Sequence, residues 1–244
     1  MPEKSIGYVR LVEACDGPGC PVCAYLDADS RRQLTTLFEE HVTDVATRRK
    51  LRASHGLCNW HTWMALEVRP AVTGVAIVYE DLLRVCHERV RAAGDRRRGR
   101  FARLRAWLGA TSGGSRRANR TQRDRCAVCV HLRTAEAHCL EAVLCFADDP
   151  EFERAYERSG GLCAPHLLAV AGRGAATPGV EMIVEQTLAK WQALRADLGR
   201  FVAKHEYRNT APITDDEARA YQRAFETLAG GRNVFGNDLH PGVT

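Results

Sequence analysis

Cys20-Pro21-Val22-Cys23 presents two thiols separated by two residues, a spacing at which both can reach one metal ion. Farther along, Gly56-Leu57-Cys58-Asn59-Trp60-His61 presents a thiol and an imidazole at i and i+3, which share a helix face. The same grammar returns as Cys126-Ala127-Val128-Cys129 and Gly161-Leu162-Cys163-Ala164-Pro165-His166. The paired motifs are separated by 34 residues in the first half and 33 in the second. The two CxxC motifs are offset by 106 and the two CxxH motifs by 105, so the chain contains an internal duplication. At the 105 offset the match runs past the motifs. Gly56, Leu57, Val75, Glu80 and Leu83 meet Gly161, Leu162, Val180, Glu185 and Leu188.

Three thiolates and one imidazole make a closed tetrahedral zinc site, and two-plus-two is its usual ligand layout. Each ligand pair falls at the start of an expected helix, where unpaired N–H groups and the positive dipole end favour thiolate. Iron–sulfur clusters are the alternative cofactor, because thiolate-rich sets serve both. A dithiol acting in exchange leaves the Cys-His motifs unexplained. With four protein ligands and no open position, each of the two sites reads as structural rather than catalytic. The duplication also filters the remaining cysteines. Cys86 meets Trp191, which asks for apolar bulk there, and Cys15, Cys139 and Cys145 have no partner in the other half. These four read as small buried hydrophobes. His55 meets Gly160, which argues against it as a ligand, and His41, His87, His131, His138, His205 and His240 read as surface groups.

The elements that must position these groups read as helices. Ala24 to about Glu40 lacks Gly and Pro and carries Tyr25, Leu34, Leu37 and Phe38 as a loose apolar stripe. Thr43 or Asp44 caps a second helix that runs to about Ser54. In the second half, Val130 to Phe146 is helical, Asp148 or Asp149 caps the next helix, and Pro150 suits its first turn. Long amphipathic helices follow over Thr73 to Ala93 and Gly179 to Tyr207, and a capping box at Thr214-Asp215-Asp216-Glu217 opens a last one. The fold class is all-α: two pseudo-repeated helical units, each pinned by a metal site, plus a C-terminal helix. Two helices of about 15 residues run about 22 Å out and about 22 Å back at about 1.5 Å per residue, which returns Cys58 to Cys23. The expected ligand sets are therefore Cys20, Cys23, Cys58 and His61 for one site and Cys126, Cys129, Cys163 and His166 for the other. The expected domains are 1–93, a linker or insert over 94–124, 125–208, and a C-terminal helix and tail over 209–244.

Residues 91–125 differ in composition, with twelve arginines and two acids, a local +10 in a chain of net +5. Thr111 to Ser115 is flexible-linker composition, and Phe101, Leu104, Trp107 and Leu108 form a short amphipathic stretch. Arginine pairs well with phosphate, so Arg96, Arg97, Arg98 and Arg100 are candidate nucleic-acid contacts, weighed against a solvated linker, which is favoured. Lys204-His205-Glu206-Tyr207-Arg208 reads as a solvated helix end. No GxSxG, HExxH or phosphate-binding glycine loop is present, so the balance leans away from an enzyme and toward a zinc-bound scaffold or interaction module. Protein partners or self-association remain open. No apolar run approaches the roughly 20 residues of a membrane helix. The N-terminus lacks a signal-peptide core, and ten cysteines outside an export context point to the reducing cytoplasm.

With its duplicated CxxC…GLCxxH motifs and the Lys204–Arg208 sequence, the chain resembles an uncharacterised bacterial family, domain of unknown function 6062, over roughly residues 8 to 236. Ala127 departs from the Pro21 of the first motif, and the arginine-rich insert is peculiar to this chain. The resemblance implies no activity. It supports only the eight ligand positions.

Overall fold

The fold comes from a computed structural model that describes residues 4–68, 72–104, 126–173, 177–206, 209–232 and 234, with 92–104 described as backbone only. The described residues form ten helices and no strand. In chain order these are α1 (Ile6–Ala14), α2 (Pro21–Glu39), α3 (Val45–Ser54), α4 (Asn59–Glu67) and α5 (Val72–Leu104). The second half holds α6 (Ala127–Cys145), α7 (Pro150–Arg158), α8 (Ala164–Arg173), α9 (Pro178–Lys204) and α10 (Asp215–Ala229). None of the described helices is long and apolar enough to cross a membrane. The sequence pattern places no helix over α1, whose N-cap Ser5 makes no side-chain cap bond. It also ends α5 near Ala93, whereas the helix runs on to Leu104, since arginine is a good helix former. Residues 105–125, with Trp107, Leu108 and the Thr111–Ser115 linker, lie outside the described residues, as do Tyr207, Arg208 and His240.

Two compact units form, and each draws on both sequence halves: residues 1–29 with 133–244, and residues 30–132. In the larger unit Tyr8, Leu11, Leu140, Phe152, Tyr156 and Ile183 are buried. Tyr8 packs on Phe146 with ring centroids 4.4 Å apart and donates its hydroxyl to Asp149 Oδ1 at 2.8 Å. In the smaller unit the core includes Leu34, Phe38, Leu51, Leu57, Met64 and Val78. Close helix approach is repeated in both. A Cβ on Gly74 would lie 1.8 Å from the Phe38 carbonyl oxygen, and one on Gly179 would lie 2.3 Å from the Ala147 carbonyl carbon. These glycines are 105 residues apart, so the contact belongs to the duplicated unit.

The caps set the helix starts. Asp44 accepts from Thr47 N–H, and Asp149 accepts from the N–H groups of Glu151 and Phe152 with Pro150 in the first turn. Asp149 is buried, which opposes its charge, but Lys4, Tyr8 and these two N–H groups outweigh that and lower its pKa to about 2. A depressed carboxylate pKa gives stability that is full above the unfolded value and is lost as pH falls through the folded one. Stability of the larger unit should therefore decline between pH of about 4 and about 2. Asp149→Ala should lose roughly 1 kcal/mol near neutral pH and flatten that decline, as read by urea titrations at several pH values. A variant with the wild-type acid profile would remove Asp149 from the account.

Candidate metal centres

The first cysteine of each motif precedes a helix, and its carbonyl accepts the helix's first bond. Ala24 N–H donates to Cys20 O at 3.0 Å, Thr62 to Cys58 O at 3.0 Å, Val130 to Cys126 O at 3.0 Å and Leu167 to Cys163 O at 2.8 Å. One turn later, Cys23, His61, Cys129 and His166 point along the same edge as the cysteine before them, as i and i+3 require. The turn into each CxxH motif uses glycine in the left-handed region, with φ of 94° at Gly56 and 79° at Gly161.

The structure brings all eight expected residues into two clusters, but in a different pairing from the one the spacing suggests. Cys20 and Cys23 meet Cys163 and His166, while Cys58 and His61 meet Cys126 and Cys129. Each CxxC thus joins the CxxH of the opposite sequence half, and each cluster lies within one compact unit. Helix length is the reason. α2 and α6 have 19 residues each, about 28 Å, while the returning α3 and α7 have 10 and 9, about 15 and 14 Å. The return runs only half way, so Cys58 does not come back to Cys23, nor Cys163 to Cys129.

The donor geometry fits a single cation at each cluster. In the larger unit, Cys23 Sγ is 3.6 Å from Cys163 Sγ, and His166 Nδ1 is 3.4, 3.5 and 3.2 Å from the sulfurs of Cys20, Cys23 and Cys163. In the smaller unit, Cys58 Sγ is 3.6 Å from Cys129 Sγ, and His61 Nδ1 is 3.2, 3.6 and 3.4 Å from the sulfurs of Cys58, Cys126 and Cys129. All donors of a cluster lie within 4.8 Å of one another. A tetrahedron with metal–sulfur bonds of about 2.3 Å and metal–nitrogen bonds of about 2.0–2.1 Å has edges of about 3.8 Å between sulfurs and about 3.6 Å from sulfur to nitrogen. The ten cysteines are free thiols.

Each CxxC pair is polarised, because contacts with Cys163 and Cys20 push the Cys23 thiol up and contacts with Cys126 and Cys58 push Cys129 up, while the first cysteine of each pair goes down. Burial opposes ionisation of Cys20, yet its contacts with Cys163, Cys23 and His166 hold its pKa well below the usual thiol range. Contacts with Cys129 and Cys58 lower Cys126 in the same direction. Burial works against charge on His61, but contacts with Cys126 and Cys58 raise its pKa to about 9. Support around the two centres differs. In the larger unit the Gly231 N–H donates to Cys23 Sγ at 3.2 Å, and His166 Nε2 faces Glu136 Oε1 at 3.5 Å. A Cβ on Gly231 would lie 2.9 Å from Cys23 Cβ, so this approach needs glycine. In the smaller unit His61 Nε2 is buried without a hydrogen-bond partner among the described residues, and Cys58 is half-exposed.

Other sequence candidates fall away from the clusters. Cys15 and Cys139 are buried as expected, whereas Cys86 and Cys145 are exposed. At the repeat position of Cys86, Trp191 is half-buried and its indole N–H donates to Leu162 O at 3.1 Å, whereas the Cys86 thiol is exposed. Arg96, Arg97, Arg98 and Arg100 lie within the last part of α5, apart from both clusters in sequence and without described side chains. Lys204 is not a solvated helix end. Its Nζ holds the buried Glu217 at 2.7 Å and donates to Pro212 O at 2.8 Å, which fastens α10 to α9. A cleft of about 310 Å³ in the larger unit is lined in part by Cys20, Cys163, Arg158 and Lys190. Its cations have partners already: Arg158 pairs with Asp16, and Lys190 donates to Tyr156 O.

A family model, described as a family of unknown function (DUF6062), matches residues 4–234. No curated protein and no solved structure matches the chain.

Proposed function

We propose, for a chain that belongs to the family of unknown function DUF6062, that the two clusters are structural zinc sites in a non-catalytic helical scaffold or interaction protein. One observation carries this reading. Each cluster supplies four protein donors at the edge lengths of a single tetrahedral ion, which leaves no position for substrate or water. Zinc suits the mixed sulfur and nitrogen set, and it needs no redox partner. An iron–sulfur cluster interposes its own irons and sulfides between the thiolates and so asks for more widely spread donors. Free thiols throughout also suit a reducing compartment such as the cytoplasm.

Elemental analysis of the natively purified protein tests the proposal. Colourless protein with about two zinc ions per chain is the expected result. Brown protein containing iron, with absorbance near about 400 nm after anaerobic purification, would replace zinc with clusters. Metal-free protein with full helicity would remove the structural role altogether.

A further inference from the structure

The duplication allows two copies of one helix face to be compared. In the larger unit α10 lies on α9, tied by Arg223 to Asp197 at 2.9 Å and by Lys204 to Glu217 at 2.7 Å. The half-buried stripe of α9 there is Trp191, Leu194, Leu198 and Phe201. At the 105 offset, α5 carries Cys86, Arg89, Ala93 and Arg96 in the same register. An apolar docking face in one copy is thus an arginine-bearing face in the other.

The described side chains around this face form a cationic surface with a built core. Asp81 is buried, and three guanidinium groups converge on it. Arg52 approaches through both Nε and Nη2 at 2.7 Å, Arg84 at 2.8 Å and Arg48 at 3.3 Å. Glu88 holds the other side of Arg84 at 2.9 Å, so three guanidinium groups face two carboxylates and one positive charge is in excess. Arg52 commits only two of its five N–H donors to Asp81, and the Arg52 and Arg84 side chains remain 41% and 50% exposed. Arg89 extends the surface, donating to Arg52 O at 3.0 Å beside the exposed His55 ring. Arg49 and Lys50 lie exposed on the same α3, which holds four basic residues and no acid. Charge follows the same division. Residues 30–132 hold 21 basic and 9 acidic residues, a net +12 of which residues 91–125 carry +10, and this leaves −7 for the rest of a chain whose total is +5. All but Lys50 of those 21 are arginine, whose planar fork matches phosphate oxygens.

We propose that the α3–α5 face of the smaller unit, built on Arg48, Arg52, Arg84 and Arg89, binds the phosphodiester backbone of a nucleic acid. Asp81 holds the guanidinium forks in place, and their outward N–H groups take the phosphates. The recognition is of backbone charge and needs no base contact, so affinity falls steeply with salt.

Fluorescence anisotropy of the zinc-loaded full chain with a labelled 20-base-pair DNA duplex tests this, with salt varied from 50 to 200 mM. Binding at low salt is expected, with log affinity falling linearly in log salt by about 0.9 per phosphate contact. Arg84→Gln with Arg89→Gln should weaken binding about tenfold and reduce that slope by about two, while the double Lys replacement keeps most of it. Arg49→Gln with Lys50→Gln, which removes no core contact, should act in the same direction and serves if the first variant misfolds. Arg158→Gln, in the other unit, should leave binding unchanged. Absence of binding at 50 mM salt, or an unchanged slope in the folded α3 or α5 variants, overturns the proposal. So does equal competition by a polyglutamate peptide, which would make the face a site for an acidic protein.

Discussion

A variant carrying Cys23→Ser and Cys163→Ser will keep one tightly held zinc ion per chain, whereas Cys23→Ser with Cys58→Ser will weaken both sites. The first pair removes two thiolates from one centre and leaves Cys58, His61, Cys126 and Cys129 complete. The second takes one thiolate from each centre, so each retains only three ligands. Pairing within sequence halves predicts the reverse. Zinc retained after dialysis against a moderate chelator separates the two outcomes, because loss of a ligand costs a large share of the roughly 10–16 kcal/mol that a complete site contributes. Full retention of one ion by the Cys23 and Cys58 variant, with both ions weakened in the other, would restore pairing within halves.

The eight ligand positions are legible in the sequence because duplication repeats them at fixed offsets, and their pairing is not, because pairing is a matter of length in space. The needed signal was nevertheless present. Asp44 and Asp149 mark the starts of α3 and α7, while Gly56 and the Gly160-Gly161 pair lie close behind. That leaves only about ten residues for a helix that must retrace about 28 Å. Reading α2 and α3 as equal arms hides this mismatch. The helices themselves are legible because periodicity and caps are local properties. The tie from Lys204 to Glu217 is not, since it joins the end of α9 to the first turn of α10 across a loop. Nor does sequence distinguish the exposure of Cys86 from that of the half-buried Trp191 at the same repeat position, because α10 packs on α9 across a loop. The close glycines Gly74 and Gly179 could have been found, since they recur at the same 105 offset as the CxxH motifs.

Chelation of both metal ions will unfold most of the helical structure, and it will do so in two steps. Each centre cross-links segments far apart in the chain: Cys23 meets Cys163 across 140 positions, and Cys58 meets Cys129 across 71. Releasing closures of that length returns a large entropy to the unfolded chain. Removing the cation also leaves three sulfurs and an imidazole crowded inside the protein without the metal bonds that held them together. A contribution of roughly 10–16 kcal/mol per structural zinc equals or exceeds the roughly 5–15 kcal/mol net stability of a typical domain. The smaller unit should go first. Its Cys58 is half-exposed and His61 Nε2 has no partner among the described residues, whereas the larger unit's centre has Gly231 N–H on Cys23 and Glu136 facing His166. Such outer support commonly changes metal affinity by about 10–100-fold. Excess EDTA should therefore release zinc in two phases, with helical circular dichroism falling in each and the melting temperature of the metal-free product lower by tens of degrees. A chelated protein with unchanged helicity and melting point would show that the packed cores, rather than the metal, hold the two units together.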